Sequence, residues 1–92
     1  MNYRKCTNVI VLDGCHHQDH IYTYDYKDFR NLCKTSGYYE STGENENFEF
    51  YKYTTNYMEP LQTVIFFDEN GAVNFVVHCI KDQETAFPFL MK

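Results

Sequence analysis

Tryptophan is absent from this 92-residue chain, proline occurs only twice and glycine only four times. So little Pro and Gly excludes a collagen-like or low-complexity polymer and leaves no linker rich in either residue to divide the chain. Basic side chains are scarce too: 8 Lys and Arg stand against 13 Asp and Glu, a formal net charge of -5. A surface of that sign repels phosphate, so direct nucleic-acid binding is not expected. Long apolar runs are missing as well. The longest near the start, Val9 to Leu12, falls far below the roughly 20 residues of a membrane span and is too short for a signal-peptide core. No small-residue cleavage site follows it, which reads as an intracellular, cytoplasmic chain whose cysteines are thiols.

What the sequence does hold is aromatic. Phe and Tyr make up 18% of the residues, with 9 Tyr and 8 Phe. A chain this short hides only about 60–65% of its unfolded surface on folding, so a thin core must be dense in large rings. Two cores would leave each half too small to be stable. Residues 1–92 are therefore read as one domain.

Periodicity assigns the elements. Thr7 to Leu12 is rich in β-branched residues and apolar on both faces, as in a central strand covered on both sides. Asp13-Gly14 is read as a turn, and His20 to Tyr24 as a returning strand at an edge. A helix is expected from Asp25 to about Ser36, because Asp25 can cap the free backbone donors, with Asp28 beside the positive helix end. Its apolar face is Tyr26, Phe29, Leu32 and Cys33, and Gly37 closes it.

Tyr38 to Asn47 mixes Gly, Ser, Thr and Asn with three glutamates and reads as a mobile acidic loop after a short extended start. Phe48 to Thr54 alternates as a strand, with Phe48, Phe50 and Lys52 on one face and Glu49, Tyr51 and Tyr53 on the other. Thr63 to Asp68 and Ala72 to Ile80 flank Glu69-Asn70-Gly71, the strongest hairpin signal in the chain. With Asn70-Gly71 as a two-residue type I′ turn, Val64, Phe66, Val73, Phe75, Val77 and Cys79 share one apolar face. The rival is a type I turn over Asp68 to Gly71 with a glycine bulge, which shifts the register and sets His78 beside Val64 and Phe66. The apolar tail from Ala86 to Met91 is expected to pack back over a sheet. Together these elements predict an α+β domain in ββαβββ order, an antiparallel sheet of about four to five strands with one helix on one face.

Two groups of residues bear on chemistry. No cofactor is expected, with zinc as the possible exception: Cys15, His17 and His20 crowd one loop, and with Cys33 (or Cys6) they make a candidate zinc site. No C-x-x-C pair is present, and the bland alternative is a solvated histidine loop with buried thiols. The second group is acidic and Tyr-rich: Tyr39, Glu40, Glu44, Glu46, Glu49, Tyr51 and Tyr53. Tyrosine gives broad contact area at low entropic cost and carboxylates steer toward a basic partner, so these residues are read as a protein-binding surface. No phosphate-cradling glycine loop or nucleophile elbow is present, and the chain is read as non-enzymatic.

In bulk, a compact, acidic, aromatic chain of this kind resembles the small inhibitors that phages and mobile elements deploy against host nucleases, including anti-CRISPR and anti-restriction proteins. That resemblance implies a protein-binding inhibitor or adaptor, a monomer or homodimer acting in the host-cell cytoplasm on a basic, nucleic-acid-handling protein, without membrane or nucleic acid as a direct partner. A small Cys/His zinc module is the alternative.

Overall fold

The computed structural model describes residues 5–15, 18–54 and 61–89. Eight elements follow in order: β1 (Cys6–Cys15), β2 (Gln18–Asp25), α1 (Tyr26–Thr35), β3 (Tyr39–Glu44), β4 (Phe48–Tyr53), β5 (Leu61–Asp68), β6 (Val73–Ile80) and β7 (Glu84–Pro88). They form an α+β domain with every strand pair antiparallel, in two sheets rather than one: β2-β1-β5-β6 and β3-β4-β7. No helix among the described residues is long and apolar enough to cross a membrane.

The helix begins where its cap says it must. The Asp25 carboxylate accepts the Asp28 backbone N–H at 2.8 Å, filling one of the donors that a first turn leaves open. Tyr26, Phe29 and Cys33 are the buried face, Leu32 is half-buried beside them, and Gly37 takes the left-handed conformation just past the end, at φ 80°.

In the four-stranded sheet, β1 is central and β2 an edge, as the sequence implies, but β1 runs through Asp13 and Gly14 to Cys15. Pairing with β2 continues across both residues and pairing with β5 reaches Asp13, so the chain does not turn there. The β5–β6 hairpin combines both readings of its turn. Gly71 N–H donates to the Asp68 carbonyl at 3.0 Å with Gly71 at φ 78°, while Asn70 has no positive φ; that is the glycine-bulge turn. The Asp68 carboxylate, itself 2% exposed, braces it by accepting from Asn70 and Ala72. A second irregularity, between Phe66 and Phe67, then restores the other register. Phe66 faces Phe75, Val64 faces Val77 and Gln62 faces Cys79, whereas Val73 pairs with Phe67 and His78 with Thr63 on the opposite side.

Two segments add strands that the sequence hides. Residues 39–44 pair with β4 as an edge strand, bulged between Ser41 and Gly43, in place of the mobile loop. The tail pairs with the other side of β4, Phe87 opposite Glu49, and Phe87 is 3% exposed, so the tail does pack back; Leu90 and Met91 lie outside the described residues. The helix and the three-stranded sheet together cover one face of the larger sheet. Between them Phe29 contacts Tyr24, Tyr39, Phe66 and Phe87, and Phe87 in turn contacts Tyr39, Tyr51 and Phe66. Most ring pairs are edge-on or tilted, the arrangement the aromatic quadrupole favours.

Candidate functional site: a tyrosine-lined cleft

Strand alternation decides the fate of the acidic, Tyr-rich group. On β4 the inward positions are Glu49, Tyr51 and Tyr53, which are 5%, 2% and 3% exposed, and on β3 Tyr39 is 8% exposed. Four of the seven residues expected on a binding surface are therefore core, because the helix and the larger sheet cover this side of β4. Glu40, Glu44 and Glu46 are exposed. They are strung along the β3 edge and its turn rather than gathered, with Glu40 and Glu44 about 13 Å apart at strand spacing.

Glu49 has a structural job. Its Oε1 accepts from Arg30 Nη2 and its Oε2 from the Tyr51 hydroxyl at 3.1 Å, so a helix cation and a core phenol neutralise and hold the carboxylate. The guanidinium carbon lies 5.5 Å from the centre of the Phe89 ring. Removing the cation alone strands a buried charge. Arg30→Met is expected to cost about 2–4 kcal/mol, somewhat below a fully sequestered pair because Arg30 is partly exposed. Adding Glu49→Gln should recover most of it, since an amide oxygen still accepts from Tyr51 without a charge. Urea unfolding of the two variants measures this; an Arg30→Met cost below about 0.5 kcal/mol would show the pair to be idle.

The zinc group does not converge where it is visible. Cys33 is 2% exposed on the inner face of α1, whereas His20 is exposed on β2, its ring stacked 6.3 Å from that of Tyr22. Burial, then the neighbouring Cys79 and Glu49, push the Cys33 thiol far above the ordinary range, opposing the thiolate that zinc requires. The side chain of Cys15 and the whole of His17 lie outside the described residues. Among the described residues no three His, Cys, Asp or Glu are grouped to hold a metal. Cys6 and Cys79 are also fully buried with thiols pushed up to about 11, chiefly by burial, so none of these three sulfurs is poised as a nucleophile.

A different set of residues does converge. At one end of the molecule, β1, β2, the end of α1 and the start of β3 enclose a cleft of about 180 Å³. Five tyrosines line it, Tyr22, Tyr24, Tyr38, Tyr39 and Tyr53, together with Val11, Leu32, Gln62 and one carboxylate, Asp13. The placement follows from register. Asp13 stands between His20 on β2 and Gln62 on β5, and the next inward row carries Tyr22, Val11 and Val64. Tyr39 and Tyr53 face each other across β3 and β4 with ring centres 5.4 Å apart.

The cleft has a fixed wall and an open mouth. Tyr39 donates its hydroxyl proton to Gln62 Oε1, and burial, followed by Cys79, Cys33, Tyr53 and Asp13, pushes that hydroxyl far above its ordinary value. It thus stays a donor. Tyr22 and Tyr38 are 45% and 52% exposed and border the opening. Asp13 is half-buried, and its carboxylate has no hydrogen bond or ion pair among the described residues. A lone carboxylate among aromatic faces is complementary to a cation. The volume is below the roughly 300 Å³ of the smallest ordinary ligand pockets and suits a single side-chain head group.

Sequence reasoning missed Asp13, Tyr22, Tyr24, Tyr38 and Gln62. A signal existed for two of them: Tyr22 and Tyr24 lie two apart in a strand and must share a face. Nothing local joins them to Tyr38 or Gln62. Comparison of the chain with protein-family models, with curated proteins and with solved structures finds no match to any of them.

Proposed function

We propose that the protein is a non-enzymatic protein-binding module, an inhibitor or adaptor, that seats a basic side chain of its partner in the tyrosine-lined cleft. The observation that supports this reading is Asp13, a half-buried carboxylate without an ion-pair partner among the described residues, set among five tyrosine rings. A cation over such rings gains from their quadrupoles as well as from the carboxylate, and arginine gains most because its planar head also stacks. Glu40, next to the cleft-lining Tyr39, and the more distant Glu44 and Glu46 add a negative field that speeds encounter with a basic surface. Partners that display arginines in clusters include proteins that handle nucleic acid, and blocking such a groove is the inhibitor form of this function.

Titration with Nα-acetyl-arginine amide, followed by NMR of the tyrosine rings, tests the reading. Resonances of Tyr22, Tyr24 and Tyr38 should move together, and Asp13→Asn should weaken the association about fivefold or more while leaving the melting temperature within a few degrees. Equal titrations of the wild type and Asp13→Asn would remove the cleft from consideration. Added salt should weaken the association, since the cleft is open to solvent.

A further inference from the structure

The larger sheet has two faces, and the described elements pack on only one. On the other, Ile10, Leu12 and Ile65 form the middle of the sheet and are half-buried, while Ile21, Val76 and Ile80 are 67%, 49% and 45% exposed. An antiparallel sheet with one solvated face normally alternates apolar and polar residues. Strands β1 and β5 do not: Val9-Ile10-Val11-Leu12 and Val64-Ile65-Phe66-Phe67 are apolar on both sides, the pattern of strands covered twice. No charged side chain occupies an outward position of β1, β5 or β6 among the described residues. The polar pair there is linked across the two strands, Thr63 Oγ1 lying 3.1 Å from His78 Nδ1, which lowers the cost of covering it.

We infer that this face is covered by a second copy of the chain, the two larger sheets stacking across a twofold axis. Its chemistry selects that occupant. On a chain of net charge -5 the three strands β1, β5 and β6 carry no Asp, Glu, Lys or Arg on this side. The acidic register positions, Asp19 opposite Gly14 and Asp25 opposite Asn8, fall at the two ends of the β2 edge. The centre of the face thus gives a basic partner nothing to complement, whereas an uncharged, β-branched centre is complementary to itself. Aligned sheets pack about 10 Å apart with interdigitating side chains, the geometry of a β-sandwich. Size agrees as well. Four strands about 4.8 Å apart and about seven residues long present a rectangle of roughly 19 by 24 Å. With side-chain relief that is on the order of 700 Å² per subunit, near the ~800 Å² per partner of a standard stable interface. The cleft opens on the inner side of the same sheet, so dimerisation leaves it free and the dimer presents two of them.

Sedimentation equilibrium of the full chain from about 1 to about 100 µM tests the inference. The expected species is a dimer of twice the 11.0 kDa chain mass, with a melting temperature that rises with concentration. Val76→Lys and Ile21→Lys, at the two margins of the face, should each raise the dimer dissociation constant at least about tenfold while keeping the circular dichroism spectrum and a cooperative melt. Glu40→Lys, on the other sheet, should leave the dimer intact. A wild-type monomer throughout the range overturns the inference. So does a dimer that survives both lysine variants, because it must then form through strand edges or another surface.

Discussion

Raising the pH from about 8 to about 11 is expected to unfold the domain, with most of the stability lost above about pH 9. The cause lies in acids that folding keeps neutral. Cys6 and Cys79 each move from an ordinary 9.0 to about 11, burial being the first cause in both. Cys33, Tyr26, Tyr39 and Tyr51 are also raised, again chiefly by burial. Folded pKa values above the unfolded ones mean that the unfolded chain releases protons first. The contribution of these groups is therefore complete below about pH 9 and disappears as pH passes through about 11. Two thiols shifted by about two units each are worth on the order of 5 kcal/mol together, comparable with the whole stability of a small domain. Urea melts at about pH 8, 9, 10 and 10.5 measure the slope. Tyrosinate absorbance of the buried rings should rise together with the loss of ellipticity rather than before it. Equal unfolding free energies at about pH 8 and 10.5 would show that these side chains are not sequestered as described.

The helix was legible because its signals are local: Asp25 caps it, Phe29 and Cys33 repeat at helical spacing, and Gly37 ends it. The β5–β6 hairpin was equally plain, since Asn70-Gly71 marks a turn in any context. Its details were not. The bulge at the turn moves the register by one residue and the irregularity near Phe67 moves it back, a compensation no local rule anticipates. β3 was hidden because only Tyr39 of its six residues is buried, so Ser41, Thr42 and Gly43 carry loop composition in a strand that owes its place to pairing with β4.

The face of β4 was the costliest ambiguity. Phe48 and Phe50 alternate with Glu49, Tyr51 and Tyr53, so both faces are aromatic and parity alone cannot choose between them. Hydrophobicity favours burying the phenylalanines. The structure buries the tyrosines of β4 beside others whose hydroxyls have somewhere to go: Tyr51 donates to Glu49, Tyr39 to Gln62 and Tyr26 to the Pro88 carbonyl. Those partners come from distant parts of the chain or depend on Arg30 neutralising Glu49, and neither is visible in a window of sequence. The cleft is illegible for the same reason, being assembled from the ends of several elements.

Phe29 ties these parts together, and Phe29→Ala is expected to cost about 3–5 kcal/mol. The ring is 2% exposed and meets Phe87 at 5.6 Å and Phe66 at 5.7 Å between centres, both edge-on. Those contacts join α1 to both sheets, so truncation opens a cavity where three layers meet and none can close it without leaving another. For a domain of this length that loss lowers the melting temperature by roughly 15–30 °C. Phe29→Leu keeps most of the volume and should cost only about 1–2 kcal/mol. The same ring supports the cleft, touching Tyr24 at 6.0 Å and Tyr39 at 6.1 Å between centres. Alanine at this position should thus weaken arginine binding at temperatures where the variant is still folded, while leucine preserves it. Thermal melts of both variants, with the arginine-amide titration repeated well below the transition, separate the two effects. A Phe29→Ala cost below about 1 kcal/mol would mean that the helix does not hold the sheets together, and unchanged binding would mean that Tyr24 and Tyr39 are positioned from elsewhere.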